Sequence, residues 1–178
     1  RDAMAADSLV DFGFHFCVVS REQQEAIPNY AKDLGVSSYK FFMNFRGDEG
    51  AYLGLPGNDD GFLFDLLTSC EDAGGMLDPH AENIELVWRL REAGVIEGNT
   101  PLDSWNLNRP DYVEADALNR LGFLARVTGA SVYAVHTTSA LALDVLRQGK
   151  SSYDNIFVES CPHYLTLDVN SPCGTYGK

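Results

Sequence analysis

Short apolar segments alternate with amphipathic helical segments along this chain, and a glycine follows most of the helical ones. The strand-like segments are residues 10–19, 36–43, 76–80, 131–136 and 155–159. The helix-like segments are residues 21–34, 62–73, 84–93, 111–128 and 139–148. Strands that alternate with helices in this way are typical of βα units and a parallel sheet. The chain is therefore predicted to have an α/β fold.

Two α/β architectures fit this alternation, a doubly wound open sheet and a (β/α)₈ barrel of the TIM type. No glycine-rich phosphate-binding motif follows any strand segment, which disfavours a nucleotide-binding open sheet. A complete barrel needs about 250 residues, and this chain has 178. The interpretation that remains is an incomplete barrel with about five of the eight strands. Because the chain starts at Arg1 without a methionine and enters a strand segment almost at once, we expect a piece of a larger protein.

Several local features set the expected limits of the elements. Pro28 interrupts the helical segment 21–34, and Gly94 is expected to end the helix that precedes it. Residues 44–61 are rich in glycine, aspartate and asparagine and are expected to form a long loop. The loop either shapes the mouth of a substrate site or only connects the elements on its two sides. Residues 95–110 are expected to be irregular.

The clearest helix, 111–128, carries an apolar stripe. The stripe consists of Val113, Ala117, Leu118, Leu121, Leu124, Ala125 and Val127. Residues at this spacing lie on one side of a helix and face a core.

Charge and cysteine content exclude some classes of partner. The net charge is −13 without a lysine or arginine cluster, so neither nucleic acid nor an anionic membrane surface is an expected partner. No apolar run approaches the roughly 18 residues that a membrane span needs. The four cysteines are far apart and show no Cys-x-x-Cys spacing. Free thiols in a reducing cytoplasm are the simplest interpretation.

Three ionisable residues stand at or near the ends of strand segments, namely Lys40, His80 and His136. The carboxyl ends of parallel strands lie at one edge of a sheet, so these side chains are expected to approach one another. Neutral imidazoles bind Zn²⁺ and similar ions. Taken alone, Lys40 could form a Schiff base, clamp a phosphate, take part in a structural ion pair, or carry a carbamate formed with CO₂ after burial lowers its pKa. Spacing does not decide among these four roles.

The other two histidines have simpler interpretations. His15 is expected to be a packed, hydrogen-bonded core residue, and Cys17 and Cys70 are expected to be buried. His163 follows Pro162 at the end of the fifth strand segment. It is expected to be structural or to line a substrate pocket.

Six ordered motifs make the sequence resemble the cyclic amidohydrolases, that is, hydantoinases, dihydropyrimidinases and allantoinases. The motifs are Asp11-Phe-Gly-Phe-His15, Ser38-Tyr-Lys-Phe-Phe-Met43, His80-Ala-Glu-Asn83, Arg109-Pro with Glu114-Ala-Asp-Ala-Leu-Asn-Arg120, Val135-His-Thr-Thr-Ser139 and Glu159-Ser-Cys-Pro-His-Tyr-Leu165. The resemblance extends over nearly the whole chain and identifies residues 1–178 as the central part of a (β/α)₈ catalytic domain.

The resemblance implies a TIM barrel with two divalent metal ions, usually zinc. Lys40 would be N6-carboxylysine, a carbamate derived from CO₂ that bridges the ions, while His80 and His136 would bind the second ion. The implied reaction opens the C–N bond of a hydantoin, dihydropyrimidine or related cyclic ureide through a metal-bridging hydroxide. The resemblance also implies a homo-oligomer, commonly a tetramer.

The chain departs from the family pattern at three places. It has no His-x-His pair, and its 178 residues end before the late-strand aspartate of the family. Phe45, which is expected to line the substrate pocket, replaces a tyrosine that helps to stabilise the oxyanion. Loss of one oxyanion donor typically costs about 10²–10³ in rate. We therefore expect little activity from the isolated chain, with a non-catalytic scaffold protein of the same lineage as the alternative.

Overall fold

The computed structural model describes residues 2–55, 57–96 and 105–168. These residues form one parallel sheet whose five strands lie in the order β1-β2-β3-β4-β5. The strands are β1 (His15–Cys17), β2 (Ser38–Phe42), β3 (Met76–His80), β4 (Ser131–Ala134) and β5 (Ile156–Val158). Each strand from β2 to β5 pairs with the strand before it in the chain, whereas the strand order of a doubly wound sheet reverses at a switch point. The α/β prediction is confirmed, and the strand order is that of a singly wound sheet.

Helices connect the strands and precede the first one. They are α1 (Asp2–Asp7), α2 (Arg21–Glu25), α3 (Ile27–Leu34), α4 (Gly47–Tyr52), α5 (Asp60–Asp72), α6 (Ile84–Ile96), α7 (Trp105–Asn108), α8 (Asp111–Thr128) and α9 (Ala140–Lys150). A short 3₁₀ helix, Pro162–Leu165, follows β5. None of the helices in the described part of the chain combines the length and the apolar character needed to cross a bilayer.

The two faces of the sheet differ in burial. Tyr39 and Phe41 of β2 are buried on one face and pack with residues of α5 and α8. Ser38, Lys40 and Phe42 alternate with them, lie on the other face and are only half-buried. This period of two is the normal geometry of a strand. It places the ionisable strand residues on the less covered face.

The apolar stripe of α8 forms much of the core, as predicted. Val113, Ala117, Leu118, Leu121 and Ala125 are all buried, and Leu124 packs against them. The prediction is wrong for Val127, which is 57% exposed. Val127 lies in the last turn of the helix, where the chain turns away towards β4.

The amino-terminal strand was predicted too long. β1 spans only His15–Cys17, and residues 2–7 form a helix where none was expected. Because β1 pairs with β2 alone, only the few residues that reach β2 gain backbone hydrogen bonds. Residues 9–14 are exposed despite their apolar composition.

The helices also differ from expectation in their limits and number. The segment 21–34 is divided at Ala26, because Pro28 cannot continue a helix but fits the first turn of α3. Gly94 does not end α6, which continues to Ile96. A glycine ends a helix when its backbone becomes left-handed, as Gly35 does with a φ of 69°. The predicted loop 44–61 contains the short helix α4. Of the predicted irregular stretch 95–110, residues 97–104 lie outside the described residues, and the remainder contains the end of α6 and the short helix α7.

The cysteines divide by position. Cys70 is buried in the core and Cys161 is intermediate, both as free thiols. The expectation that Cys17 is buried is wrong, because Cys17 lies on the less covered face of the edge strand and is exposed. Cys173 lies outside the described residues.

Candidate metal centre

His80 and His136 meet at the carboxyl edge of the sheet. His80 is the last residue of β3, and His136 lies two residues after β4. Nδ1 of His80 is 3.2 Å from Nε2 of His136, and the ring centroids are 4.9 Å apart. Burial, together with the neighbouring His80 and Lys40, lowers the pKa of His136. A neutral imidazole is the form that binds a metal ion.

Lys40 lies on the same face of the sheet, two residues before the level of His80. Lys40 and Phe42 of β2 pair with Asp78 and His80 of β3. On the opposite edge of β2, Lys40 pairs with Cys17 of β1. Burial lowers the pKa of Lys40, although the negative charges of Asp78, Cys17 and Glu159 oppose this change. The ammonium lies 5.2 Å from the centroid of the Phe42 ring. The structure thus brings a partly desolvated lysine close to the two histidines.

Asp78 is an unexpected carboxylate within this face. It is 2% exposed, and its Oδ2 lies 2.7 Å from Nδ1 of His15. The same nitrogen is 2.7 Å from the hydroxyl of Ser38. Burial raises the pKa of Asp78, while His15 and Lys40 act in the opposite direction. His15 is hydrogen-bonded as expected, but the expectation that it is packed in the core is wrong, because its side chain is 70% exposed.

A second carboxylate, Glu82, lies next to Nε2 of His80. Its Oε2 is 3.9 Å from Nε2 of His80, and its Oε1 is 3.0 Å from Nε of Arg109. The amide of Asn44 also donates to Oε2 at 3.2 Å. Burial alone would raise the pKa of Glu82, but contact with His80, Arg109 and Asn44 outweighs it and lowers the pKa. Glu82 is therefore a carboxylate held ionised beside the imidazole.

The backbone at His136 is left-handed, with a φ of 42°, the one non-glycine residue of the described chain with a positive φ. The carboxylate of Glu114 accepts hydrogen bonds from the backbone N–H groups of Thr138, at 2.9 Å, and Ser139, at 2.8 Å. A non-glycine residue in this conformation costs of order 1–3 kcal/mol and needs support from its surroundings. Glu114 supplies part of that support.

The two predicted pocket residues have different ring partners. Phe45 is nearly parallel to the ring of His80, with centroids 6.2 Å apart, and contacts Phe42. His163 is exposed on the 3₁₀ helix, against the ring of Tyr164. Phe45 thus lies beside the histidine pair, and the side chain of His163 is exposed to solvent.

A cavity of about 390 Å³ opens next to the histidine pair. Its lining includes His80, His136, Glu82, Arg109, Trp105 and Tyr164. Neither Phe45 nor His163 lines it among the described residues. The cavity is large enough for a small cyclic molecule.

The donor set fits part of a metal site. Two imidazoles face each other, and a carbamate on Lys40 would add oxygen ligands on the same face. Within residues 2–55, 57–96 and 105–168, no group of three or more histidine, cysteine, aspartate or glutamate side chains is arranged to hold an ion.

Lys40, His80 and His136 were predicted from the sequence as site residues. Four further residues that support the site were not predicted, namely Glu82, Arg109, Glu114 and Asp78. Three of these four occur inside motifs that carried the family resemblance. Their position in those motifs was the available signal. Asp78 had no such signal.

Comparison with known proteins points to one class. No family model matches the chain. A D-hydantoinase from Ralstonia pickettii is 35% identical over 172 residues, which cover 93% of this chain and 35% of that protein. A D-hydantoinase from Geobacillus stearothermophilus is 29% identical over 90% of this chain and 33% of that protein. The chain thus spans about a third of the length of these relatives.

Solved structures give the same result. A structure of D-hydantoinase superposes with a TM-score of 0.82 at 34% identity, covering 94% of this chain and 35% of that one. A dihydropyrimidinase from Brevibacillus agri superposes with a TM-score of 0.80 at 28% identity, covering 96% and 38% of the two chains.

These relatives, together with the singly wound parallel sheet that carries Lys40 and His80 on one face, identify the chain as an α/β domain of the amidohydrolase class. Within that class it belongs to the cyclic amidohydrolases, as part of the hydantoinase and dihydropyrimidinase lineage. The family prediction from the sequence motifs is confirmed, and so is its assignment to a lineage of enzymes.

Proposed function

We propose that this chain carries part of the catalytic centre of a hydrolase that opens the C–N bond of a cyclic amide. The observation that carries the proposal is the approach of His80 and His136, whose ring nitrogens face each other at 3.2 Å beside a partly desolvated lysine. The relatives named D-hydantoinase and dihydropyrimidinase support the substrate class, a hydantoin, dihydropyrimidine or related ureide.

His80, His136 and a carboxylated Lys40 would hold two divalent ions, with zinc as the expected metal. When bound, such ions polarise an amide carbonyl and lower the pKa of water to near neutrality. His80 and His136 contribute imidazole nitrogens as ligands, and the lowered pKa of His136 favours the neutral form that binds a metal ion. The cavity beside them offers room for the ring of the substrate.

Lys40 acquires a negative charge when its amine reacts with CO₂. The neutral amine attacks the carbon of CO₂, one proton leaves the nitrogen, and a carbamate with one negative charge remains. A lowered lysine pKa increases the fraction of neutral amine at pH 7. Burial at Lys40 acts in that direction.

The architecture and assembly of the whole protein belong to the same proposal. The sequential strand order is compatible with a sector of a TIM barrel, in which further strands would close the sheet. Residues outside this chain would complete the ligand set, because the family's His-x-His pair is absent from these 178 residues. A homo-oligomer, commonly a tetramer in this family, and a cytoplasmic location are proposed on the same basis.

Metal content tests the function. After incubation with Zn²⁺ and bicarbonate, we expect about two zinc ions per subunit in the protein that includes the remaining ligands. Lys40→Ala should remove most of that zinc and all ring opening of dihydrouracil or hydantoin, because it deletes the bridging group. The matched control is Lys32→Ala, which removes an exposed lysine on α3.

Elemental analysis gives the zinc content, and loss of ultraviolet absorbance gives the rate of ring opening. A wild-type protein that binds no zinc under these conditions would contradict the proposal. Full activity in Lys40→Ala would do the same.

A further inference from the structure

We infer that one short segment, Arg109–Glu114 at the start of α8, positions both histidines of the candidate centre. The segment reaches His80 through the side chain of Glu82 and reaches His136 through the loop that follows β4. The inference rests on the proposed metal-binding function and adds residues that act by positioning the two histidines.

The first connection runs from Arg109 to His80. The Arg109 guanidinium is 3.0 Å from Glu82 and 3.6 Å from Glu49, and it lies 4.0 Å from the centroid of the Trp105 ring. The side chains of Arg109 and Glu82 are only 16% and 13% exposed. A planar guanidinium fixed by two carboxylates and a ring has little freedom to move. Glu82 is therefore held in place by its partner.

Glu82 lies on the side of His80 away from His136. Nδ1 of His80 faces His136, which leaves Nε2 for a second partner, and the nearest carboxylate oxygen of Glu82 is 3.9 Å from it. Histidine ligands of metal ions commonly donate their other ring N–H to a carboxylate, which fixes the tautomer and the orientation of the ring. A movement of less than 1 Å would bring Glu82 to hydrogen-bonding distance.

The second connection runs from Glu114 to His136. Both carboxylate oxygens of Glu114 accept from the Thr138 N–H, at 2.9 and 3.2 Å, and one accepts from the Ser139 N–H at 2.8 Å. These hydrogen bonds tie the loop after β4 to α8, directly beyond the left-handed residue His136. Without them, the backbone at His136 would be free to relax to a negative φ and turn the imidazole away.

Both connections start from one rigid element. The N–H of Asn83, next to Glu82, donates to the carbonyl of Val113, next to Glu114, at 3.0 Å. Val113 is buried against Ile84 and Val87. The position of Glu82 relative to Glu114 is thus set by the backbone of α8, and so is the separation of the two imidazoles.

Two substitutions separate this role from ordinary stabilisation. Arg109→Gln removes the guanidinium that holds Glu82. Glu114→Gln weakens the acceptor for the backbone N–H groups of Thr138 and Ser139. Arg120→Gln is the control for the first, because Arg120 on the same helix pairs with Asp60 and Asp116 away from the histidines. Asp59→Asn is the control for the second, because Asp59 accepts the Phe62 N–H at the start of α5.

The first measurement is the zinc dissociation constant, obtained by competition with a chromophoric chelator in the folded protein that carries this chain. We expect Arg109→Gln and Glu114→Gln each to weaken zinc binding by about 10–100-fold, the usual effect of losing such a supporting residue. The two controls should change it by less than about threefold, even where they lower the melting temperature. Arg109→Lys should restore only part of the affinity, because an ammonium cannot hold two carboxylates as a planar fork.

The second measurement is the ¹⁵N spectrum of the histidine rings in metal-free protein. Arg109→Gln should shift the signals of His80, and Glu114→Gln those of His136, while both controls leave them unchanged. Unchanged ring signals and zinc affinity in folded variants would overturn the inference, as would equal losses in the controls. If the wild type binds no zinc, the proposed function fails, and the ring spectra alone then decide whether the segment positions the histidines.

Discussion

Individual residues of this chain owe their reactivity to the face of the sheet or helix on which they lie. Lys40 alternates with the buried Tyr39 and Phe41, and burial lowers its pKa without removing it from solvent. Cys70 lies on the inner side of α5, and burial raises its pKa to about 12. Cys17 is exposed on the edge strand. Two thiols of one chain should therefore react very differently.

Alkylation at pH 8 checks this difference. A thiol with a pKa of about 12 has only about one molecule in 10⁴ in the reactive thiolate form at that pH. Because a raised pKa disfavours the thiolate at every pH below it, Cys70 should stay unmodified by iodoacetamide in the folded chain while Cys17 reacts. Peptide mass spectrometry gives the extent at each site, and unfolding in guanidinium should make both react. Equal labelling of Cys17 and Cys70 in the folded chain would contradict the burial of Cys70.

At the scale of an element, α8 shows how two glycines of one helix segment have opposite roles. Gly129 follows the last residue of α8 with a φ of 81° and ends the helix. Gly122 lies in the interior of the same helix, where an added Cβ would meet only Ile156 Cδ1, at 3.5 Å. The first glycine is needed for its backbone conformation, and the second is not.

Alanine at these two positions should have opposite effects on stability. Gly129→Ala should lower the free energy of unfolding by about 1–2 kcal/mol, because a side chain disfavours the left-handed conformation. Gly122→Ala should raise it by about 0.5–1 kcal/mol, the helix-propensity difference between the two residues. Urea titration followed by circular dichroism measures both. Destabilisation by Gly122→Ala would show that the helix packs more tightly against β5 than the structure indicates.

At the scale of the whole molecule, one hydrophobic cluster joins α5, α8 and α9 to a single face of the sheet. Leu66 and Leu121, on different helices, are both fully buried within it. A smaller cluster of Ile84, Val87 and Val113 links α6 to the start of α8. The segment that we assign to positioning the histidines thus lies where these two clusters meet.

Leu66→Ala tests the central cluster. It should lower the free energy of unfolding by about 2–5 kcal/mol, because it leaves a cavity among close-packed side chains. Leu9→Ala is the matched control, since Leu9 is fully exposed, and should change the value by less than about 0.5 kcal/mol. Denaturant titration provides the comparison. A loss below about 1 kcal/mol for Leu66→Ala would mean that this face is not tightly packed.

The sequence by itself determined the features that depend on local order. The alternation of strand and helix segments follows from periodicity, and the break before Pro28 follows from the missing N–H of proline. Lys40, His80 and His136 could be found because polar residues at the ends of buried strands stand out against apolar neighbours. The family was recognisable because its motifs occur in order along the chain.

Only the tertiary structure decided what depends on residues distant in sequence. It set the short extent of β1, the exposure of His15 and Cys17, and the approach of Glu82 to Arg109 and of Glu114 to the loop after His136. These contacts join residues that are more than 20 positions apart or depend on which strands lie beside an edge. No local pattern encodes such a pairing, because it arises only when the packed core fixes the helices against the sheet.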